Sequence, residues 1–236
     1  MKQSWSPFSF LETTLSYGRE REEKTQLGTP WVRRTENWPA VKLKFDLNRT
    51  PFLIDRISKR FFSSSNLVLE YSRTNTISEG ISTSISHQPF LSWQGTFKKP
   101  EDLSLAFLYK SSTRYQKVFG ETNSSRDFSS THQLKISWST YIAWGAKIPL
   151  LSSLINFKNK LTFSAALSRD LSYKEDSSGL VQQDQEKWAL IADVSYRMTR
   201  NINMKLGLDL TCYKDRVKVG EDYFGYGGFA WVEMLF

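Results

Sequence analysis

Two histidines, one cysteine and a scatter of acidic pairs are the residues of this chain that could do covalent, acid–base or metal chemistry. His87 stands in Ser84-Ile85-Ser86-His87-Gln88 and His132 in Ser130-Thr131-His132-Gln133, each with serines close by. A Ser-His pair becomes an acyl-transfer nucleophile only when a third group orients the imidazole and the serine is presented on a suitable turn. No Gly-x-Ser-x-Gly elbow accompanies either histidine, and serine is common enough here for such neighbours to arise by chance. Both histidines are therefore read as solvated, His132 opening a strand and His87 near an external loop. Carboxylates gather at Glu121, Asp127, Glu175, Asp176, Asp184, Glu186, Glu221 and Asp222. Such oxygens can meet calcium or a polysaccharide, but no EF-hand spacing of ligands is present. Cys212 alone, with two histidines, makes neither a disulfide framework nor a Cys/His metal cluster. The expectation is a non-enzymatic protein with no cofactor and no metal, so the elements that carry these residues become the question.

The chain has 236 residues, of which 39% are hydrophobic and 14% aromatic, yet its mean hydropathy is −0.45. No stretch approaches the roughly 18 to 20 apolar residues of a membrane-spanning helix, which excludes an all-helical membrane protein. The net charge of +8 comes from 32 Lys+Arg against 24 Asp+Glu. Basic residues stand in ones and twos, with no run longer than Lys98-Lys99 or Arg33-Arg34, so the electrostatic stripe of a nucleic-acid partner is lacking. The opening Met1-Lys2-Gln3-Ser4-Trp5-Ser6-Pro7 carries no apolar core of a secretory signal. The expectation drawn from it is a chain that stays inside or has lost its front end.

Period two is the informative pattern. Trp188, Leu190, Ala192, Val194, Tyr196 and Met198 alternate with Ala189, Ile191, Asp193, Ser195 and Arg197. After Thr199-Arg200-Asn201 the pattern resumes as Ile202, Met204, Leu206, Leu208, Leu210 and Cys212, with Lys205 and Asp209 on the opposite side, as in a tight hairpin. Leu134, Ile136 and Trp138 alternate in the same way around Lys135, and Val41, Leu43 and Phe45 around Lys42, Lys44 and Asp46. The spacing predicts ten strands, at 8–17, 40–48, 66–76, 85–97, 103–115, 131–144, 159–173, 187–198, 201–214 and 223–236. Most exceed the five or six residues usual in soluble domains and reach the 9–11 or so of a tilted strand that crosses a bilayer.

Two segments read instead as short amphipathic helices, over 51–62 and 148–157. Pro51-Phe52-Leu53-Ile54-Asp55-Arg56-Ile57 and Pro149-Leu150-Leu151-Ser152-Ser153-Leu154-Ile155 share a leading Pro and the same apolar spacing. They are read as an internal repeat, with ordinary packed turns as the alternative. Links after even strands are these helices or tight turns, and links after odd strands (18–39, 77–84, 116–130, 174–186, 215–222) are polar. Bacterial outer-membrane barrels show that asymmetry, with short periplasmic turns and longer external loops. Trp and Tyr near segment ends suit interfacial girdles, whereas a soluble sandwich would have shorter strands and a Val/Ile/Leu-lined buried face.

The expected fold is thus all-β, one antiparallel transmembrane barrel segment over residues 1–236 with two short periplasmic helices, in the cell outer membrane. Val41, Leu43, Phe45, Leu134, Ile136, Trp138, Leu190, Val194, Leu206 and Leu208 are assigned to lipid. Lys42, Lys44, Asp46, Lys135, Asp193, Arg197, Lys205 and Asp209 are assigned to the lumen, because a Lys or Arg at the lipid midplane costs about 2–4 kcal/mol. Their mixed sign suggests internal ion pairs more than an anion-selective channel. Tyr226, Gly228, Ala230, Val232, Met234 and Phe236 share one face of the last strand, as in the terminal signal that the barrel assembly machinery pairs with as an added strand.

Those features resemble a known family. The Pro-led segments before Leu67-Val68-Leu69-Glu70-Tyr71-Ser72-Arg73-Thr74 and Lys160-Leu161-Thr162-Phe163-Ser164, with the ending Phe229-Ala230-Trp231-Val232-Glu233-Met234-Leu235-Phe236, look like the last section of SprA-type barrels. Those are very large outer-membrane translocons of the type 9 secretion and gliding systems. The resemblance spans roughly residues 40–236. It implies a C-terminal piece of a longer polypeptide, forming part of a protein-export pore wall with the remainder of a larger barrel and secretion-system subunits. About ten strands would alone close only a narrow barrel filled by side chains. A complete small barrel, porin or anchor, and a soluble carbohydrate-binding β-sheet module are the alternatives.

Overall fold

Each residue of a strand sends its side chain to one face and its N–H and C=O sideways, so a long alternating segment needs neighbouring strands and two different environments. The computed structural model describes residues 1–26, 29–50, 53–79, 81–141, 146–147, 154–155, 160–197 and 202–234. Its elements are β1 (Lys2–Phe8), β2 (Leu11–Gln26), β3 (Thr29–Asp46), α1 (Leu53–Phe61), β4 (Phe62–Ser78), β5 (Ser82–Phe97), β6 (Leu103–Val118) and β7 (Ser125–Thr140). They continue with β8 (Ala146–Lys147), β9 (Leu154–Ile155), β10 (Leu161–Glu175), β11 (Val181–Arg197), β12 (Ile202–Asp215) and β13 (Tyr223–Met234). Eleven strands make one sheet in the order β1-β2-β3-β4-β5-β6-β7-β10-β11-β12-β13, while β8 and β9 pair only with each other. Every pairing in the large sheet is antiparallel between strands consecutive in that order. The sheet is open, with β1 and β13 as its edges.

The ten expected strands are all present, and most are longer than expected, from 12 residues in β13 to 18 in β3. The largest difference falls on 18–39, expected as an external link. There β2 runs on to Gln26, β3 starts at Thr29, and the two residues pair. A bulge conceals this in the sequence. Ser16 pairs with Ala40 and Gly18 with Asn37, so Trp38 and Pro39 together oppose Tyr17. The extra residue shifts the phase of β3, which brings Glu36 and Arg34 to the face that carries Val41, Leu43 and Phe45. Pro39, with no N–H to donate, sits in the irregularity that tolerates it. The unexpected β1 is short and contains Pro7, both features of an edge.

Of the two expected helices, the first is α1, which ends on the basic pair Lys59 and Arg60. The second, over 148–157, lies mostly outside the described residues. Its two described positions, Leu154 and Ile155, are extended and pair with Lys147 and Ala146, so the helical repeat is not reproduced there. The expected turn at 199–201 lies outside the described residues. The C-terminal ends of β2, β4, β6, β10 and β12 share one end of the sheet, and those of β3, β5, β7 and β11, with α1, share the other.

Among the described residues the elements touch through neighbouring strands, through α1 on β4 and through β8 on β9, so the sheet is a single layer. One close joint lies between β12 and β13. Gly207 pairs with Phe229, and the Phe229 ring lies where a side chain at 207 would be, 2.3 Å from a Cβ built there, with the Ala192 carbonyl oxygen at 2.9 Å. The backbone oxygen cannot move aside cheaply. Gly207→Ala is therefore expected to lower unfolding stability by about 1–3 kcal/mol, the usual cost of overpacking, as measured by urea titration in detergent. Gly225→Ala meets nothing within 4 Å and should leave the midpoint in place.

Candidate functional site

Antiparallel register turns the alternation within each strand into rows across the sheet. One row reads Leu11, Phe45, Leu67, Trp93, Phe107, Leu134, Leu167, Leu190, Leu210, Tyr226, an apolar residue on every full-length strand. The row beside it continues through Leu105, Ile136, Ala165, Ala192, Leu208 and Gly228, and the next through Leu103, Trp138, Phe163, Val194, Leu206 and Ala230. From Ile202 to Cys212 the apolar side of β12 runs about 33 Å along the strand, or about 25 Å at the tilt usual in membrane barrels.

Among the described residues nothing covers this face. Leu206 is 59% exposed and Leu208 63%, whereas Leu161, at 6%, is the one buried hydrophobic residue among those described. The buried side chains are otherwise polar, among them Thr13, Thr14, Ser65, Ser111, Ser130 and Asp215. Burial is thus inverted relative to a water-soluble domain. Small residues at Ala165, Ala192 and Gly228 leave an open apolar depression of about 850 Å³ between Trp138 with Phe163 and Leu206 with Leu208.

The opposite face carries paired charge. Lys44 Nζ donates to Glu12 at 2.9 Å and Lys42 Nζ to Glu70 at 3.0 Å, both across strands. Lys205 lies 3.2 Å from Asp193, which also accepts from Ser164 Oγ at 2.7 Å. Thr131 Oγ1 donates to Asp170 at 2.7 Å. Register places all eight residues assigned to the lumen on this face and all ten assigned to lipid on the apolar one. Asp46 instead bonds the Asn48 amide and Arg49 in its own turn. Of the terminal set, Tyr226, Gly228, Ala230 and Val232 share the apolar face, the Met234 position continues their register, and Phe236 lies outside the described residues.

Aromatic groups bound the apolar rows at two levels. At the end that holds α1 lie Phe8 with Phe10, Phe62 with Trp93 and Phe97, and Trp138 with Phe163. At the other limit lie Tyr17 with Trp38, Tyr71 with His87, Tyr109 with His132, and Arg169 over Trp188 at 5.1 Å. Both histidines therefore sit in mid-strand, half-buried against tyrosines, and His132 does not open a strand as expected. His87 Nδ1 is 2.7 Å from the Tyr71 hydroxyl. Among the described residues no hydrogen bond joins either histidine to a serine or a carboxylate, and no group of three His, Cys, Asp or Glu could hold a metal.

From the second aromatic level onward the strands carry ion pairs, exposed in Arg19–Glu36 at 3.4 Å and Arg34–Glu79 at 2.8 Å, and half-buried in Arg169–Glu186 at 2.8 Å and in Arg216 with Asp184 and Glu186 at 3.0 Å each. Asp176, one of the expected loop carboxylates, and Asp215, at the end of β12, are used as turn caps. Asp215 accepts from the amides of Val217 and Lys218. Asp176 accepts from the Ser178 amide and hydroxyl, the Leu180 amide and the Gln182 side chain.

The chain matches no family model, no curated protein and no solved structure at a significant level.

Hydrogen bonds from the Ser178 hydroxyl first, then from Gln182 and the Leu180 amide, hold Asp176 down to about 2, against an ordinary 3.8. A carboxylate whose folded pKa is depressed contributes stability that is complete above its unfolded pKa and lost as pH falls to the folded one. The 176–180 turn is therefore expected to loosen between pH about 4 and about 2. Amide exchange at Ser178 and Leu180 should show the change, and Asp176→Asn should remove that pH dependence.

Proposed function

We propose that this chain is a non-enzymatic wall segment of an outer-membrane β-barrel, with its apolar rows toward lipid and its ion-paired face toward a polar lumen. The observation that carries the reading is the uninterrupted apolar row across all ten long strands, on a face that no other described residue covers. In water that face would drive aggregation, whereas in a bilayer it replaces lipid–water contact and is bounded by aromatics at the headgroup levels. The end that bears α1 and the short links faces the periplasm, and the long hairpins face outward.

Within this reading the more particular role is the one that the resemblance to SprA-type translocons implies. The open sheet would form part of a wider protein-export pore in the outer membrane, beside the remainder of a larger barrel. Its last strand would be read by the barrel assembly machinery, and secretion-system subunits would be partners. Two features support a share in a larger wall: free edges at β1 and β13, and a lumen-facing surface of mixed, mutually paired charge in place of a filled interior. A second reading, a complete small porin or anchor, rests on β2–β13 supplying ten long strands, an even number suited to antiparallel closure.

Refolding the chain in detergent and comparing boiled with unboiled samples on a denaturing gel separates these readings. A wall segment is expected to show no heat-dependent shift as a monomer, whereas a shift would establish closure and the small barrel. Leu206→Arg, which places a cation on the lipid side at about 2–4 kcal/mol, is expected to abolish co-flotation with phospholipid vesicles. Wild-type flotation of that variant would overturn both membrane readings.

A further inference from the structure

Resting on the membrane reading, the two edges of the sheet can be told apart by chemistry. An open edge in hydrocarbon leaves N–H and C=O groups without water, at several kcal/mol for each. β1 is a blunted edge: seven residues, polar, with Pro7 in place of a donor. β13 is twelve residues long and lies alongside the apolar rows. In a meander of eleven antiparallel strands the first and last run in the same direction, so β1 could meet β13 only as a parallel partner.

The side chains of β13 on the lumen side add a second observation. Tyr223, Gly225, Gly227, Phe229 and Trp231 share that side, opposite Tyr213, Thr211, Asp209, Gly207 and Lys205 of β12. Tyr223 is 52% exposed and Trp231 42%, two exposed rings at the edge of a face that elsewhere mixes charged and small residues with Ile191, Phe90 and Leu108. Two other glycines of the sheet, Gly207 and Gly95, are roofed by a ring from the adjoining strand, while Gly18 and Gly228 meet no ring within 4 Å. Phe229 covers Gly207, and Phe62 of β4, with Trp93, covers Gly95 of β5. Gly225 has no heavy atom within 4 Å of a Cβ position, and Gly227 has only the Asp209 carboxylate, at 3.2 Å. Their notch lies between Tyr223 and Phe229 on the strand whose outer neighbour is missing.

We infer that the β13 edge is the docking surface for a membrane-spanning β-strand of a partner segment, antiparallel to β13, which sets an aromatic side chain over Gly225 and Gly227 from the lumen side. Backbone pairing supplies the adhesion, and the ring over the notch fixes the register, as aromatic cover does for edge glycines in sheets generally.

The test uses the whole chain refolded in detergent and a synthetic strand peptide matched in length to β13, with Val/Leu alternating with Ser/Thr. One version carries Phe and the other Ala at the central polar-side position. The Phe peptide is expected to bind about five- to ten-fold more tightly, the scale of an aromatic contact. The difference should vanish when Gly225→Val and Gly227→Val fill the notch. Equal dissociation constants for the two peptides on the wild-type chain, which need no variant to fold, would overturn the inference. So would a monomeric disulfide between Ser4→Cys and Gly225→Cys in a Cys212→Ser background, because β1 would then occupy the edge. Flotation of the wild-type chain with phospholipid vesicles is measured in parallel. A chain that floats yet fails the peptide comparison loses this inference alone, and one that does not float loses the membrane reading and the inference with it.

Discussion

Register is the constraint on which this molecule depends. A sheet with one apolar and one charged face tolerates no net slip, because a shift of one residue moves every leucine of a strand to the charged face and every lysine to the apolar one. The ladders from β4 to β13 keep the rows of Leu134 and Leu167, or of Lys135 and Ala166, aligned without a break through their centres. Where β3 does slip, at Trp38–Pro39, the bulge lies beyond the apolar rows, and the strand re-enters phase before Val41. Cross-strand ion pairs reinforce the alignment. Lys42–Glu70 and Lys44–Glu12 join directly opposed residues, so each pair weakens if its strand moves by one position. Such half-exposed pairs add little net stability, but they favour one alignment over its neighbours.

The sequence already exposed much of this organisation. All ten long strands, the face assignments of Leu206 and Lys205, and the helix after Pro51 follow from alternation, length and proline position, which are local properties. Tertiary arrangement decided what was missed. The extensions of β2 and β3 through 18–39 were hidden because Pro39 interrupts the strand and the phase of the charges reverses across it. His87 and His132 look solvated from their polar neighbours in sequence, but their real neighbours are Tyr71 and Tyr109 on adjoining strands. Asp176 resembles a loop carboxylate open to ligands, and only the folded turn brings the Ser178 and Leu180 amides onto it. The cover of Phe229 over Gly207 depends on pairing between two strands, although an aromatic and a glycine in adjoining alternating segments were a visible hint.

The inverted burial also decides which forces hold the chain together. With Leu161 the one buried apolar side chain among those described, burial of side chain against side chain contributes far less than in a soluble domain. Cohesion comes from backbone ladders, short hydroxyl contacts such as Ser139 with Thr162 at 2.8 Å, and rings laid across strands. In the proposed bilayer setting such ladders would gain from a medium that cannot compete for their hydrogen bonds, and the same medium would relieve the exposed leucines.

The hairpins are longer than the apolar rows require. Past the bulge, β2 and β3 run on from Gly18 to Gln26 and back from Thr29 to Asn37, about 30 Å at 3.3 Å per residue, braced by Arg19–Glu36. In the proposed orientation a ribbon of that reach would stand clear of the lipid headgroup layer, so that a large particle arriving from outside would touch the charged hairpin before the aromatic belt beneath it.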